Sequence, residues 1–148
     1  MSVVVAQIDI AAPPQAVWDV SMDPDRTLEW VTIARDVGER SDGEFRPGYR
    51  MDQKLCLRGV SFWVHWTLEE VDAPWFARWE GRGPARSKAV IESRLTERDG
   101  GTRFDYRNEF KAPFGPLGAA ASRVVTGGIP EKEANASLRR LKEILERP

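Results

Sequence analysis

Two runs of alternating residues, Tyr49 to Leu57 and Val60 to Leu68, are separated only by Arg58 and Gly59. A two-residue link between antiparallel strands fixes their register, and side chains directly opposite one another then share a face. The register expected here sets Tyr49, Met51, Gln53, Leu55 and Leu57 against Leu68, Trp66, Val64, Phe62 and Val60. That face is almost wholly apolar. The other face pairs Lys54 with Trp63, Asp52 with His65 and Arg50 with Thr67, which suits water. The chain therefore contains an antiparallel sheet with one wet side, and the dry side must be covered by another element.

A second hairpin gives an independent check. A four-residue loop, Arg98-Asp99-Gly100-Gly101, sets Arg94 opposite Asp105 and Glu92 opposite Arg107 on the wet side. The dry side then carries the pairs Leu95/Phe104, Ser93/Tyr106, Ile91/Asn108 and Ala89/Phe110, and a slip of one residue would destroy both patterns together. Between the hairpins Asp72-Ala73-Pro74 forms a turn, and Trp75 to Arg82 is a further strand with Trp75, Ala77 and Trp79 of one parity. Near the start, Val3 to Ile10 is rich in β-branched residues and reads as a strand. Pro13 and Pro14 then open a helix carrying Val17, Val20 and Met22, and Asp23 with Pro24 starts a second short helix through Leu28 and Trp30.

After Pro113 and Pro116 the pattern turns helical: LGAAASRVVT, a break at Gly127-Gly128-Ile129-Pro130, then a helix with Ala134, Leu138, Leu141 and Leu145 on one stripe. The dry face of the sheet is the surface large enough to receive that stripe. The expected architecture is α+β, a single domain over residues 1–148: a curved antiparallel sheet of about six or seven strands wrapped around a long C-terminal helix, with two short helices after the first strand.

Composition narrows the partners. A formal net charge of −1 gives no long-range field to gather phosphates, so nucleic acid is not an expected partner. The single cysteine, Cys56, and single histidine, His65, supply neither an internal disulfide nor the usual zinc ligands, and no metal or cofactor is expected. No segment approaches the roughly 18 apolar residues of a membrane span, and VVVAQIDI is too short for a secretory signal. A cytoplasmic protein is expected, its oligomeric state open.

Four stretches, IDIAAPPQAVWDVSMDPDRTLEW, WTLEEVDAPWFARWEGRG, GGTRFDYRNEF and ASLRRLKEILE, together with the order of elements, resemble the START-like helix-grip (SRPBCC) superfamily, in its polyketide cyclase/dehydrase-like branch. The resemblance runs the length of the chain and is architectural, with no catalytic signature. It implies a hydrophobic cavity between the concave sheet and the long helix, in which family members hold sterols, lipids, polyketides or hormones, some of them catalysing cyclisation or dehydration.

The candidate ligand-binding residues are the dry-face set. They comprise Met51, Gln53 and Leu55; Phe62, Val64 and Trp66; Trp79 and Ile91; and Phe104, Tyr106 and Asn108, with Asn108 or Gln53 setting a ligand's orientation. The leading expectation is binding of a hydrophobic or aromatic small molecule. An enzyme of the polyketide cyclase/dehydrase kind is the alternative, with Tyr106 polarising a carbonyl, but it lacks an inward acid or base. A third reading, a protein-interaction module of the chaperone-activator kind, requires an exposed apolar patch. The inward rings also suit an ordinary core, and the small residues Gly118 to Ser122 fit either a ligand space or close packing. His65 opposite Asp52 reads as a surface pair, Gly127 to Pro130 as a kink or a hinge, and the GxG at Gly81 and Gly83 as a strand end with no phosphate-loop helix behind it.

Overall fold

The β-branched run at the N-terminus forms strand β1 (Ser2–Ile10), and the two prolines after it begin helix α1 (Pro14–Met22). In this computed structural model, residues 2–57, 59–111 and 129–147 are described. Asp23 caps the next turn, its side chain accepting from the Asp25 amide, and a 3₁₀ turn at Pro24–Arg26 leads into α2 (Thr27–Trp30). Then come β2 (Ala34–Arg40), β3 (Arg50–Leu57), β4 (Val60–Asp72), β5 (Phe76–Arg82), β6 (Lys88–Arg98), β7 (Gly101–Lys111) and the C-terminal helix α3 (Ile129–Glu146). The strands make one antiparallel seven-stranded sheet in the order β1-β7-β6-β5-β4-β3-β2.

Both hairpin registers hold: Met51 faces Trp66 and Asp52 faces His65, while Leu95 faces Phe104 and Ile91 faces Asn108. The β6–β7 connection is shorter than expected. Only Asp99 and Gly100 turn, with φ of 51° and 79°, and Arg98 and Gly101 are already paired strand residues. The wet-side charges also find partners other than those opposite them. Asp105 pairs with Arg103 and Arg107 with Glu109, each at 3.1 Å, because residues i and i+2 of a strand share a face about 7 Å apart, within an arginine's reach. Glu92 is taken by Arg78, which also holds Glu70, and Arg94 lies over the Phe76 ring. Strand β5 begins at Phe76, leaving Trp75 exposed in the turn, and β2 is an additional edge strand with no alternating signature.

The stripe of α3 falls where its spacing demands. Leu138 and Leu141 are fully buried, and Ala134 and Leu145 pack beside them; each fully buried leucine contributes roughly 2 kcal/mol. Polar ties fix the helix at two points. Glu146 accepts from the Ala11 amide at 2.9 Å and Lys142 donates to the Asp9 carbonyl at 2.7 Å, while Ser137 accepts from the Thr32 amide at 3.0 Å. Helix α3 makes its closest backbone approaches to β1, α2 and α1. The expected small-residue stretch Gly118 to Ser122, the preceding helical run and the glycines of the Gly127–Pro130 break lie outside the described residues, and Ile129 and Pro130 belong to α3.

Candidate functional site

Alternation along seven strands builds the concave face in rows. One row runs Ile8, Phe104, Leu95; the next Ala6, Tyr106, Ser93, Ala77; the next Val4, Asn108, Ile91, Trp79. The first is closed: Phe104 and Leu95 are buried, and Trp30 of α2 meets Phe104 edge-on at 6.5 Å. Farther along the strands the face opens. Ser93, Tyr106, Asn108, Ile91, Trp79 and Ala89 are all half-buried although they point to the inner side.

The predicted residues divide accordingly. Met51, Gln53, Leu55, Val64, Trp66 and Phe104 are buried in the core, whereas Phe62, Trp79, Ile91, Tyr106 and Asn108 keep accessible surface. Trp79 is held edge-on by Tyr49 at 6.1 Å, and Tyr49 in turn by Phe45 at 4.9 Å, an aromatic chain fixing one side of the open region. Trp66 packs against Gly81, where a Cβ would come within 2.5 Å of the ring. Its indole Nε1 donates to Gln53 Oε1 at 3.1 Å, which settles what that buried carbonyl does. Gln53 is thereby a partner of Trp66, and of the two orienting groups expected Asn108 is the one whose oxygen has no partner among the described residues.

Tyr106 and Asn108 are the polar pair of the open region. Burial pushes the Tyr106 phenol up to about 12, and hydrogen bonding by the Asn108 side chain offsets part of that rise. Such a phenol keeps its proton at neutral pH. The Oδ1 of Asn108 is enclosed and has no hydrogen-bond partner among the described residues; the same holds for Nε1 of Trp30, a residue the sequence placed only at a helix end. Orphaned polar atoms in an apolar wall are not visible in a pattern of alternation.

The outer face differs. His65 Nδ1 lies 2.7 Å from Asp52 Oδ1 with the ring exposed on the outer face, opposite Arg82 of β5. A separate open depression of about 310 Å³ is lined by Thr32, Ile33, Cys56, Leu57 and Glu133, where the Thr32 hydroxyl meets the Glu133 carboxylate. Gly81 lies inside β5 and Gly83 before a single 3₁₀ turn at Pro84–Arg86, so this GxG has no helix N-terminus to offer a phosphate. Among the described residues, no three His, Cys, Asp or Glu side chains converge on a metal position, and no helix is long and apolar enough to cross a membrane.

A concave sheet gripping a C-terminal helix is the setting in which the comparisons have meaning. The family model described as polyketide cyclase / dehydrase and lipid transport matches residues 1–146. The chain belongs to that family. It is 26% identical over 131 residues to the uncharacterized protein Rv1546 of Mycobacterium tuberculosis, covering 87% of this chain and 92% of the relative. TTHA0849 of Thermus thermophilus shares the fold at a TM-score of 0.80, with 16% identity over 97% of each chain. DynU16, a protein in the dynemicin biosynthetic locus, matches 99% of this chain and 48% of its own at a TM-score of 0.67 and 14% identity. At those identities the two structures show the fold alone. Polyketide cyclase/dehydrase and lipid transport proteins have a ligand-binding fold, and the open part of this member's concave face is where its described residues leave room.

Proposed function

We propose that this chain is a cytoplasmic binding protein for an apolar or aromatic small molecule, held on the concave face against Phe62, Trp79, Ile91 and Tyr106. The observation that carries the reading is that these large inward side chains keep accessible surface while the rows beside them are sealed. In a filled core the middle of the sheet would be its driest part. Asn108, rather than Gln53, orients the ligand, since the Gln53 oxygen is engaged by Trp66.

The enzyme reading uses the same face. It has a phenol able to polarise a carbonyl but, among the described residues beside Tyr106 on the inner face, no side chain able to take a proton near neutral pH, and this favours binding over turnover. The protein-interaction reading draws on Val3 and Val5, exposed neighbours on the outer face of edge strand β1, and on the exposed rings of Trp63 and Trp75.

Native mass spectrometry of the purified protein, followed by denaturing extraction, tests the proposal: an apolar adduct is expected at up to one equivalent. With a bound compound in hand, Trp79→Ala should weaken its affinity at least tenfold and His65→Ala should leave it unchanged. Equal losses from both substitutions would refute the assignment of faces.

A further inference from the structure

The two edges of the sheet are built in opposite ways. Strand β2 carries Arg35, Asp36, Glu39 and Arg40, and its pairing with β3 is interrupted by register shifts. Charge and irregular pairing are what keep an edge strand from meeting another strand. Strand β1 has neither over residues 2–8: the run SVVVAQI is uncharged, free of proline, and pairs residue for residue with β7 without a shift.

Parity fixes which main-chain groups the β1 edge presents. Arg98 and Gly101 flank the turn at Asp99 and Gly100 and form its hydrogen-bonded pair, so odd-numbered residues of β7 point their N–H and C=O to β6 and even-numbered ones to β1. Even residues of β7 face even residues of β1, as in Tyr106 with Ala6 and Asn108 with Val4, which turns the main-chain groups of Val3, Val5, Gln7 and Asp9 away from the sheet. The Asp9 carbonyl agrees, since it accepts from Lys142 Nζ at 2.7 Å. That tie ends the free stretch. Among the described residues, no hydrogen bond reaches the outward main-chain groups of Val3, Val5 or Gln7.

The side chains along this stretch suit a copy of themselves. On the outer face Val3 and Val5 are 50% and 60% exposed, and the Gln7 side chain is held by Arg103. About a twofold axis at Val5, an antiparallel second β1 sets Val5 opposite its own image, Val3 opposite Gln7, Val4 opposite Ala6 and Ser2 opposite Ile8, with no charge facing a charge. Odd residues then oppose odd ones, so every outward group of Val3, Val5 and Gln7 finds a partner, and the valines of both copies adjoin over the join. A contact of β1 with the β2 edge of another copy would instead set valines against charges and would not close.

We propose that β1 pairs antiparallel with β1 of a second copy of this chain, giving a twofold dimer whose sheet runs on across the join. The contact is small, so the dimer is a reversible one that forms in the micromolar range.

Sedimentation velocity between micromolar and submillimolar concentrations should show a monomer–dimer equilibrium. Val5→Pro removes an outward N–H and no bond to β7, and Val5→Glu sets two carboxylates opposite each other while lying beside Arg107 of its own sheet. Each should weaken the dimer at least tenfold with the far-ultraviolet circular dichroism unchanged. Amide hydrogen exchange adds a readout on the unaltered protein: in the dimer the amides of Val3, Val5 and Gln7 should exchange slowly, and in Val5→Glu quickly, with Val4, Ala6 and Ile8 slow in both. A monomer at every concentration would overturn the proposal, and slow exchange at Val3, Val5 and Gln7 in that monomer would show that the chain covers its own edge. A dimer in which those amides exchange quickly, or one equally tight in Val5→Glu, would place the contact elsewhere and overturn it too.

Discussion

Gly81→Ala isolates how tightly the wall of the concave face is built. A methyl group on Gly81 would lie 2.5 Å from Trp66 Cζ3, 2.6 Å from Cε3 and 2.9 Å from Cη2, where carbon atoms in contact stand about 3.5–4.0 Å apart. The ring must shift by about 1 Å. It has little freedom to do so, because Trp66 is 6% exposed and its Nε1 is bonded to Gln53. Overpacking of this kind costs about 1–3 kcal/mol, and straining the indole hydrogen bond adds up to about 1 kcal/mol. The loss of glycine's freedom in the unfolded chain offsets roughly 0.4–1 kcal/mol. The net is a destabilisation of about 1–3 kcal/mol, or a fall in melting temperature of roughly 3–10 °C for a chain of this length. Thermal unfolding followed by circular dichroism measures it. In a Trp66→Leu background the ring is gone, so the same methyl should cost almost nothing. An unchanged or raised melting temperature for Gly81→Ala, or a full penalty in the double variant, would refute the reasoning.

Asn108→Leu should stabilise the ligand-free protein by about 1 kcal/mol in urea unfolding, since it removes an unpaired buried carbonyl; a loss of stability would show that the carbonyl has a partner. The two tyrosines, Tyr49 and Tyr106, are both held above the ordinary 10.0 by burial, Tyr106 at about 12, so near-ultraviolet absorbance should show well under half the tyrosinate at pH 10. Between about pH 10 and 12 an unfolded phenol ionises while folded Tyr106 keeps its proton. Stability should therefore be insensitive to this group below pH 10 and fall by on the order of 2 kcal/mol across that interval, and a flat profile would contradict the burial of the phenol.

The registers of both hairpins were legible because a short link and a period of two leave little choice, as the pairs Met51/Trp66 and Ile91/Asn108 show. The miscounted loop has a physical cause. Gly101 looks like a turn glycine, yet it is a strand residue whose missing Cβ makes room for the Ile10 carbonyl, 2.5 Å from where that atom would lie. Strand β2 escaped notice because ARDVGER is mostly exposed at the sheet edge and its pairing with β3 is interrupted by register shifts. The inward set of candidate residues followed from parity. Which of them are sealed depends on where α3 lies, and that is set by its ties to Ala11, Asp9 and Thr32, contacts more than 100 residues apart in sequence.

The separation of charge between the two faces bears on chemistry as well as on ligand choice. On the outer face Arg78 bridges Glu70 and Glu92, Arg103 holds Asp105 and Arg107 holds Glu109, so those carboxylates are engaged across the sheet from any ligand. On the inner face Tyr106 is the titratable group of the open region among the described residues, and burial makes it a weaker acid than an ordinary phenol. Cyclisation or dehydration requires that a proton leave carbon and another reach oxygen. Among the described groups around Tyr106 on this face, the phenol is a donor to an oxygen, and there is no acceptor for a proton from carbon.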